Sequence, residues 1–145
     1  MYIEITYEQL AEASSSTDNT RWTTSESNKS IYDPCPAGWR VPDGGSNGVW
    51  SKALGSSYTK PSYDSTNNGI NFSGNFGANQ TIWYPASGFR SYYDGSLNYV
   101  GNYGYFWSAS LNDYKAYYLF FNGNGVVPWH SDNRALGLSV RCLQE

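Results

Sequence analysis

The clearest pattern of apolar and polar positions is Ala116-Tyr117-Tyr118-Leu119-Phe120-Phe121-Asn122, closed by Gly123-Asn124-Gly125. The run is rich in β-formers and ends on a turn signal, which predicts a strand. Side chains alternate along a strand, so Tyr117, Leu119 and Phe121 share one face. Ala116, Tyr118 and Phe120 share the other. Gly137 to Leu143 predicts a second strand. Shorter β-like runs occur at Ile82–Tyr84 and Tyr105–Ser108, and a strand pair is expected around Ser73-Gly74, from Asn71 to Phe76. Val49 to Leu54 predicts one helical turn.

Near the N-terminus, Tyr2, Ile3 and Ile5 could form a strand and the following residues to 13 a short helix. Outside that region no long stretch has a period of 3.6, and there is no tandem repeat. Residues 14–30 are polar and of low complexity, with Trp22 as the one large apolar side chain. Between Ile31 and Pro42, Pro34, Pro36 and Pro42 exclude a regular helix. That segment is an ordered extended loop, with Trp39 expected as a core anchor.

Composition adds that 39% of the 145 residues are hydrophobic and only 14% charged, with a formal net charge of −3. There are 14 Tyr, 6 Trp and 6 Phe. No basic excess exists, so nothing supports nucleic-acid binding through phosphates. No apolar run is long enough for a membrane span. A chain so rich in aromatics is able to fold. Tyr, Trp, Ser, Gly and Asn at low charge make up the palette of binding loops. A glycine-rich β protein whose rings fill its core would have the same palette.

Two cysteines occur, Cys35 and Cys142. An even count in a short, turn-rich chain allows one disulfide between an early loop and the C-terminal strand. Two buried free thiols are the alternative. The single histidine, His130, sits in Pro128-Trp129-His130-Ser131-Asp132-Asn133. Adjacent residues on an extended chain point apart, so these neighbours do not make a triad. Gly44-Gly45 and Gly123-Asn124-Gly125 lack the lysine of a phosphate loop. A calcium site built from loop carbonyls with Asp113 or Asp132 is conceivable, but no Asp-x-Asp-x-Asp loop appears. The expectation is a non-enzyme with no cofactor and no metal. MYIEITYEQL lacks a charged region followed by an apolar core, so it does not read as a signal peptide.

Three motifs sharpen this picture. They are Tyr32-Asp33-Pro34-Cys35-Pro36-Ala37-Gly38-Trp39-Arg40-Val41-Pro42, then Tyr84-Pro85-Ala86-Ser87-Gly88-Phe89-Arg90, then Phe106-Trp107-Ser108-Ala109-Ser110 leading to Gly137-Leu138-Ser139-Val140-Arg141-Cys142. Together they resemble the major paralogous domain of bacterial surface lipoproteins and fimbrial tip subunits. They equally resemble the C-terminal domain of variable proteins diversified by retroelements. The resemblance implies an α+β chain of C-type lectin-like fold, with short strands, long ordered loops and one or two short helices. It covers residues 31–145 and leaves 1–30 as an N-terminal arm or edge segment.

In such proteins a fixed frame alternates with variable, solvent-facing positions. The frame implied here is Trp107, Ser108, Ser110, Ala116, Tyr117, Leu119, Phe121, Pro128, Arg134, Gly137, Val140 and Arg141. The implied ligand-binding positions are Leu111, Asn112, Asp113, Tyr114, Lys115, Tyr118, Phe120, Val127, Trp129, His130, Ser131, Asp132, Asn133, Ala135 and Leu136. The sugar-binding triplets of calcium-dependent lectins are absent. The function implied is a display domain whose C-terminal aromatic and polar surface, with help from loops around Tyr92 to Tyr105, binds a protein or cell-surface receptor. A fixed-site carbohydrate-binding or adhesin module is the alternative. The setting implied is extracellular, on a bacterial surface or a phage virion. The oligomeric state is not implied.

Overall fold

The computed structural model describes residues 2–4 (backbone), 19–24, 27, 29–55, 61–72 and 82–145. Within them lie twelve strands and one helix. In chain order the strands are β1 (Tyr2–Glu4), β2 (Trp39–Arg40), β3 (Tyr63–Asp64), β4 (Gly69–Phe72), β5 (Ile82–Pro85), β6 (Phe89–Arg90), β7 (Leu97–Asn98), β8 (Gly104–Asn112), β9 (Lys115–Asn122), β10 (Gly125–Asp132), β11 (Ser139–Arg141) and β12 (Leu143–Gln144). Helix α1 is Val49–Leu54. The helix expected after Thr6, and the far half of the pair expected around Ser73-Gly74, lie outside the described residues.

The central sheet has the order β1-β11-β8-β9-β10. β11 runs parallel to β8, and the other neighbours are antiparallel. Smaller sheets are β3-β4-β5, β2-β12 and β6-β7. The chain is thus mostly β, which corrects the α+β expectation, although the arrangement is loosely compatible with a lectin-like fold. The physical reason lies in β8, β9 and β10, which run for nine, eight and eight residues. Irregularities between Trp107 and Leu111, and between Val127 and His130, absorb Ser108–Ser110 and Pro128–Trp129 as bulges. A strand that would otherwise stop at proline continues through such a bulge.

β8 and β9 are apolar on both faces, and each face meets its own core. On one side Phe106, Leu119, Phe121 and Val126 pack against Trp50 and Leu54 of α1, and against Ile70, Phe72 and Tyr84. Trp50 Nε1 donates to Tyr84 Oη at 3.0 Å, so the buried indole N–H is satisfied. Gly104 belongs to this side as well. A Cβ there would fall 2.0 Å from Phe121 Cζ, so the residue must lack a side chain.

On the other side Trp107, Ala109, Ala116 and Tyr118 pack with Val41, Leu138, Val140 and Cys35. Tyr118, read from sequence as solvent-facing, is only 7% exposed. The correction has a simple cause. Trp107 stands directly across from Tyr118 in the register, with the two rings edge to face at 5.7 Å.

The three sequence motifs meet at the C-terminal strands. Cys35 and Cys142 form a disulfide with Cα atoms 5.7 Å apart. Ala109 N donates to Pro42 O at 2.9 Å, and Gly44 N to Ser110 Oγ at 3.0 Å, which laces the first motif to β8. Arg90 and Gly137 exchange both backbone hydrogen bonds. Ser87 Oγ and Ser139 Oγ lie 2.8 Å apart. Arg141 donates to Trp83 O at 2.8 Å while its guanidinium lies over the Tyr84 ring.

Lys29 organises the loop before β2, with Nζ donating to the carbonyls of Cys35, Pro36 and Trp39 and pairing with Asp33. Trp39 is the second correction. It lies on the two-residue strand β2 against Gln144 and is 38% exposed, so it is not a core anchor. Among the described residues no helix is long and apolar enough to cross a membrane.

The disulfide closes a loop of 107 residues. In the chain-entropy account such a crosslink stabilises by up to about 4–5 kcal/mol. The Cys35→Ser, Cys142→Ser double variant is expected to lose stability on that scale in urea unfolding. Reduction of the wild type by dithiothreitol is expected to give the same midpoint.

Candidate functional site

Apart from Tyr118, Phe120 and Val127, which lie within β9 and early β10, the positions implied as ligand-binding fall in three places that the fold brings together. The first is the β8–β9 turn. Asp113 takes φ 58°, a conformation open to Asp and Asn and suited to a tight hairpin. Leu111, Asn112, Asp113 and Tyr114 are exposed there, and Lys115 is half-buried.

The second is the C-terminal half of β10. Asn112 Nδ2 donates to Ser131 Oγ at 2.9 Å, which ties the hairpin tip to this strand. The third is the turn from Asn133 to Leu136. Ala135 N donates to Asn133 Oδ1, and Arg134 donates to Asp113 O at 3.2 Å. Ala135 and Leu136 are half-buried, and Leu136 packs on the second core. Trp129 stands at the β10 bulge and is 39% exposed.

Around β9 the rings form a connected network. His130 is exposed and stacks on Tyr118 with centroids 5.7 Å apart. Its ring meets Phe120 edge to face at 5.3 Å. Phe120 is half-buried, opposite Val127, and touches Tyr103 and Tyr105. Tyr105 reaches Phe89 at 5.3 Å. Tyr99 stacks on Tyr103 at 4.6 Å and is 54% exposed. At the β6–β7 turn Tyr93 packs on Tyr92 and is 84% exposed. Each such contact adds about 0.5–1.5 kcal/mol beyond the burial of area. The network therefore holds its outer rings in place before anything binds.

Compared with protein-family models, curated proteins and solved structures, the chain matches none. The residues themselves must then say what the surface can do.

Phe89 was not among the implied binding positions, and the loops around Tyr92 to Tyr105 were expected only to assist that surface. A signal for Tyr103 and Tyr105 was present. Tyr103, Tyr105 and Trp107 alternate, so a strand there must put all three on the face that carries Tyr118 and Phe120. The contribution of Tyr92 and Tyr93 depends on where the β6–β7 turn lands, which no local pattern encodes.

Charge on this surface is sparse. Asp132 faces the phenols of Tyr92, Tyr105 and Tyr118, and contributes to raising the pKa of each. Burial is the largest cause for Tyr118, which is pushed up to about 12, and for Tyr105, which is also raised. For Tyr92 the hydrogen bond with Tyr93 comes first. His130 and Ser131 are neighbours on one strand, and Ser131 Oγ is engaged by Asn112. That arrangement offers no base for a nucleophile. No group of three or more His, Cys, Asp or Glu is placed to hold a metal ion among the described residues.

The raised phenols set a pH window. An acid whose folded pKa exceeds its unfolded value near 10 keeps the folded state favoured while neutral. Stability is therefore fully present below about pH 10 and falls as pH rises toward about 12. Urea midpoints across this range are expected to drop, and Tyr118→Phe is expected to flatten the drop.

Proposed function

We propose that this chain is a ligand-binding display domain akin to retroelement-diversified variable proteins and bacterial major paralogous domains. Its aromatic surface docks a protein on a cell surface, and its setting is the outside of a bacterium or a phage virion. The observation that carries the reading is the ring network from Phe89 to His130, which is rooted beside Trp107 in the second core and ends in solvent at Tyr99 and His130.

Rigid aromatic anchors with few charges dominate binding energy at protein interfaces. Rings already held by their neighbours lose little freedom on docking. The hairpin tip from Leu111 to Lys115 and the turn from Asn133 to Leu136 supply a polar rim beside them. Such a rim suits adaptable hydrogen bonding. The disulfide fits an oxidising, extracellular setting. Binding, rather than catalysis or cofactor chemistry, is the activity that these residues serve.

The fluorescently labelled domain is to be measured by flow cytometry on a panel of intact bacterial cells. Binding to at least one strain is expected, lost on protease shaving of the cells and retained after periodate oxidation. The Tyr99→Ala, His130→Ala double variant is expected to bind at least about tenfold more weakly, a loss of roughly 1.4 kcal/mol. Binding that ignores the double variant contradicts the reading. Binding by this surface that is lost to periodate but not to protease favours a fixed-site carbohydrate module instead.

A further inference from the structure

A second concave surface lies on the β3-β4-β5 sheet. The inner face of that sheet (Tyr63, Ile70, Phe72, Ile82 and Tyr84) faces the first core. Its outer face carries Asp64, Gly69, Asn71 and Trp83. Register fixes this grouping, since Trp83 stands directly across from Asn71, and Asp64 across from Gly69.

Gly69 explains how the indole sits. A Cβ at that position would fall 2.5 Å from Trp83 Cζ2 and 2.9 Å from Cε2. The indole thus lies against the Gly69 backbone, where any side chain would displace it. Arg141, reaching from β11 to the Trp83 carbonyl, fixes the strand from behind.

Beside the indole the polar groups are already oriented. Asp64 Oδ1 accepts from the backbone N–H of Thr66 at 2.9 Å and of Asn67 at 3.1 Å. Asp64 Oδ2 accepts from Asn67 Nδ2 at 2.7 Å. These donors hold the carboxyl below its ordinary range, so it stays an acceptor. Asp64, Asn67, Asn71 and Trp83 line an open depression of about 430 Å³. Its size falls in the range of about 300–1,000 Å³ usual for small-molecule sites.

From this arrangement we infer a second ligand site that takes a neutral pyranose unit of a glycan. A pyranose has a face of C–H groups that lies flat on an aromatic ring. It also has a rim of hydroxyls that both donate and accept. Trp83 supplies the ring, Asp64 an ionised acceptor, and Asn67 and Asn71 amides able to do both. The carboxylate disfavours phosphate and other anions. One indole with a carboxylate already engaged by three donors is a poor cage for an alkylammonium, which prefers several ring faces. The site sits on a different sheet from the aromatic surface, so the two readings stand or fall separately.

Affinity electrophoresis through gels holding mannan, xylan, β-glucan or galactan tests the site. The wild type is expected to be retarded by at least one of them. Trp83→Ala is expected to weaken that retardation at least about tenfold, and Tyr99→Ala to leave it unchanged. In the native protein, the Trp83 indole N–H resonance is expected to shift when the methyl glycoside of the matching sugar is titrated in. That readout does not depend on whether Trp83→Ala folds. The inference is overturned if no polysaccharide retards the wild type, if retardation survives Trp83→Ala, or if choline moves the indole resonance and the glycosides do not.

Discussion

Most of this molecule depends on one constraint: β8 and β9 are apolar on both faces, so both faces must be covered. Phe106 and Leu119 demand one core, and Trp107 and Tyr118 demand another. A sheet wet on one side would leave one of these sets in water. The chain meets the demand with pieces that have little structure of their own. Helix α1 and the β3-β4-β5 sheet pack on the first face, while the loop through Cys35 and Val41 packs on the second, where Val140 of the neighbouring strand β11 joins it. The disulfide and the Arg90–Gly137 pairing hold those covering pieces in place.

The same constraint shapes the surface proposed for binding. β9 has no free face to display, so its rings cannot form a binding surface by themselves. What reaches solvent is the margin of the second core. There Tyr105 and Phe120 are half-buried, and the rings of His130, Tyr99 and Tyr103 continue outward. A surface of this kind is firm because its inner edge is core. A change at Tyr118 would therefore act on stability first, whereas a change at Tyr93 or Tyr99 leaves the core intact.

Local elements and the crosslink were legible in the sequence where the signal is short-range. Val49–Leu54, Ile82–Tyr84 and Ala116–Asn122 appear where propensity and turn residues put them, and the paired cysteines are bonded. Alternation also sorted Leu119 and Phe121 from Tyr118 and Phe120. It could not say what covers each face, because a period of two identifies neighbours on a strand and nothing beyond it. The presence of large apolar side chains on both faces was itself a sign of two-sided burial. Trp39 and Trp83 were illegible for another reason. Each belongs to a strand of four residues or fewer, and its exposure is decided by distant partners, Gln144 for one and Gly69 for the other.

The central claim is that the two-sided sheet is the stability unit on which both surfaces rest. Native-state hydrogen exchange tests it most directly. The amides of Phe106, Trp107, Tyr118 and Leu119 are expected to exchange only through global unfolding, with opening energies equal to that from denaturant melts, while those of β6, β7 and the 99–103 loop open at lower energy. Exchange of the β8 and β9 amides by local opening, at lower energy than the β4 and β5 amides, would contradict it.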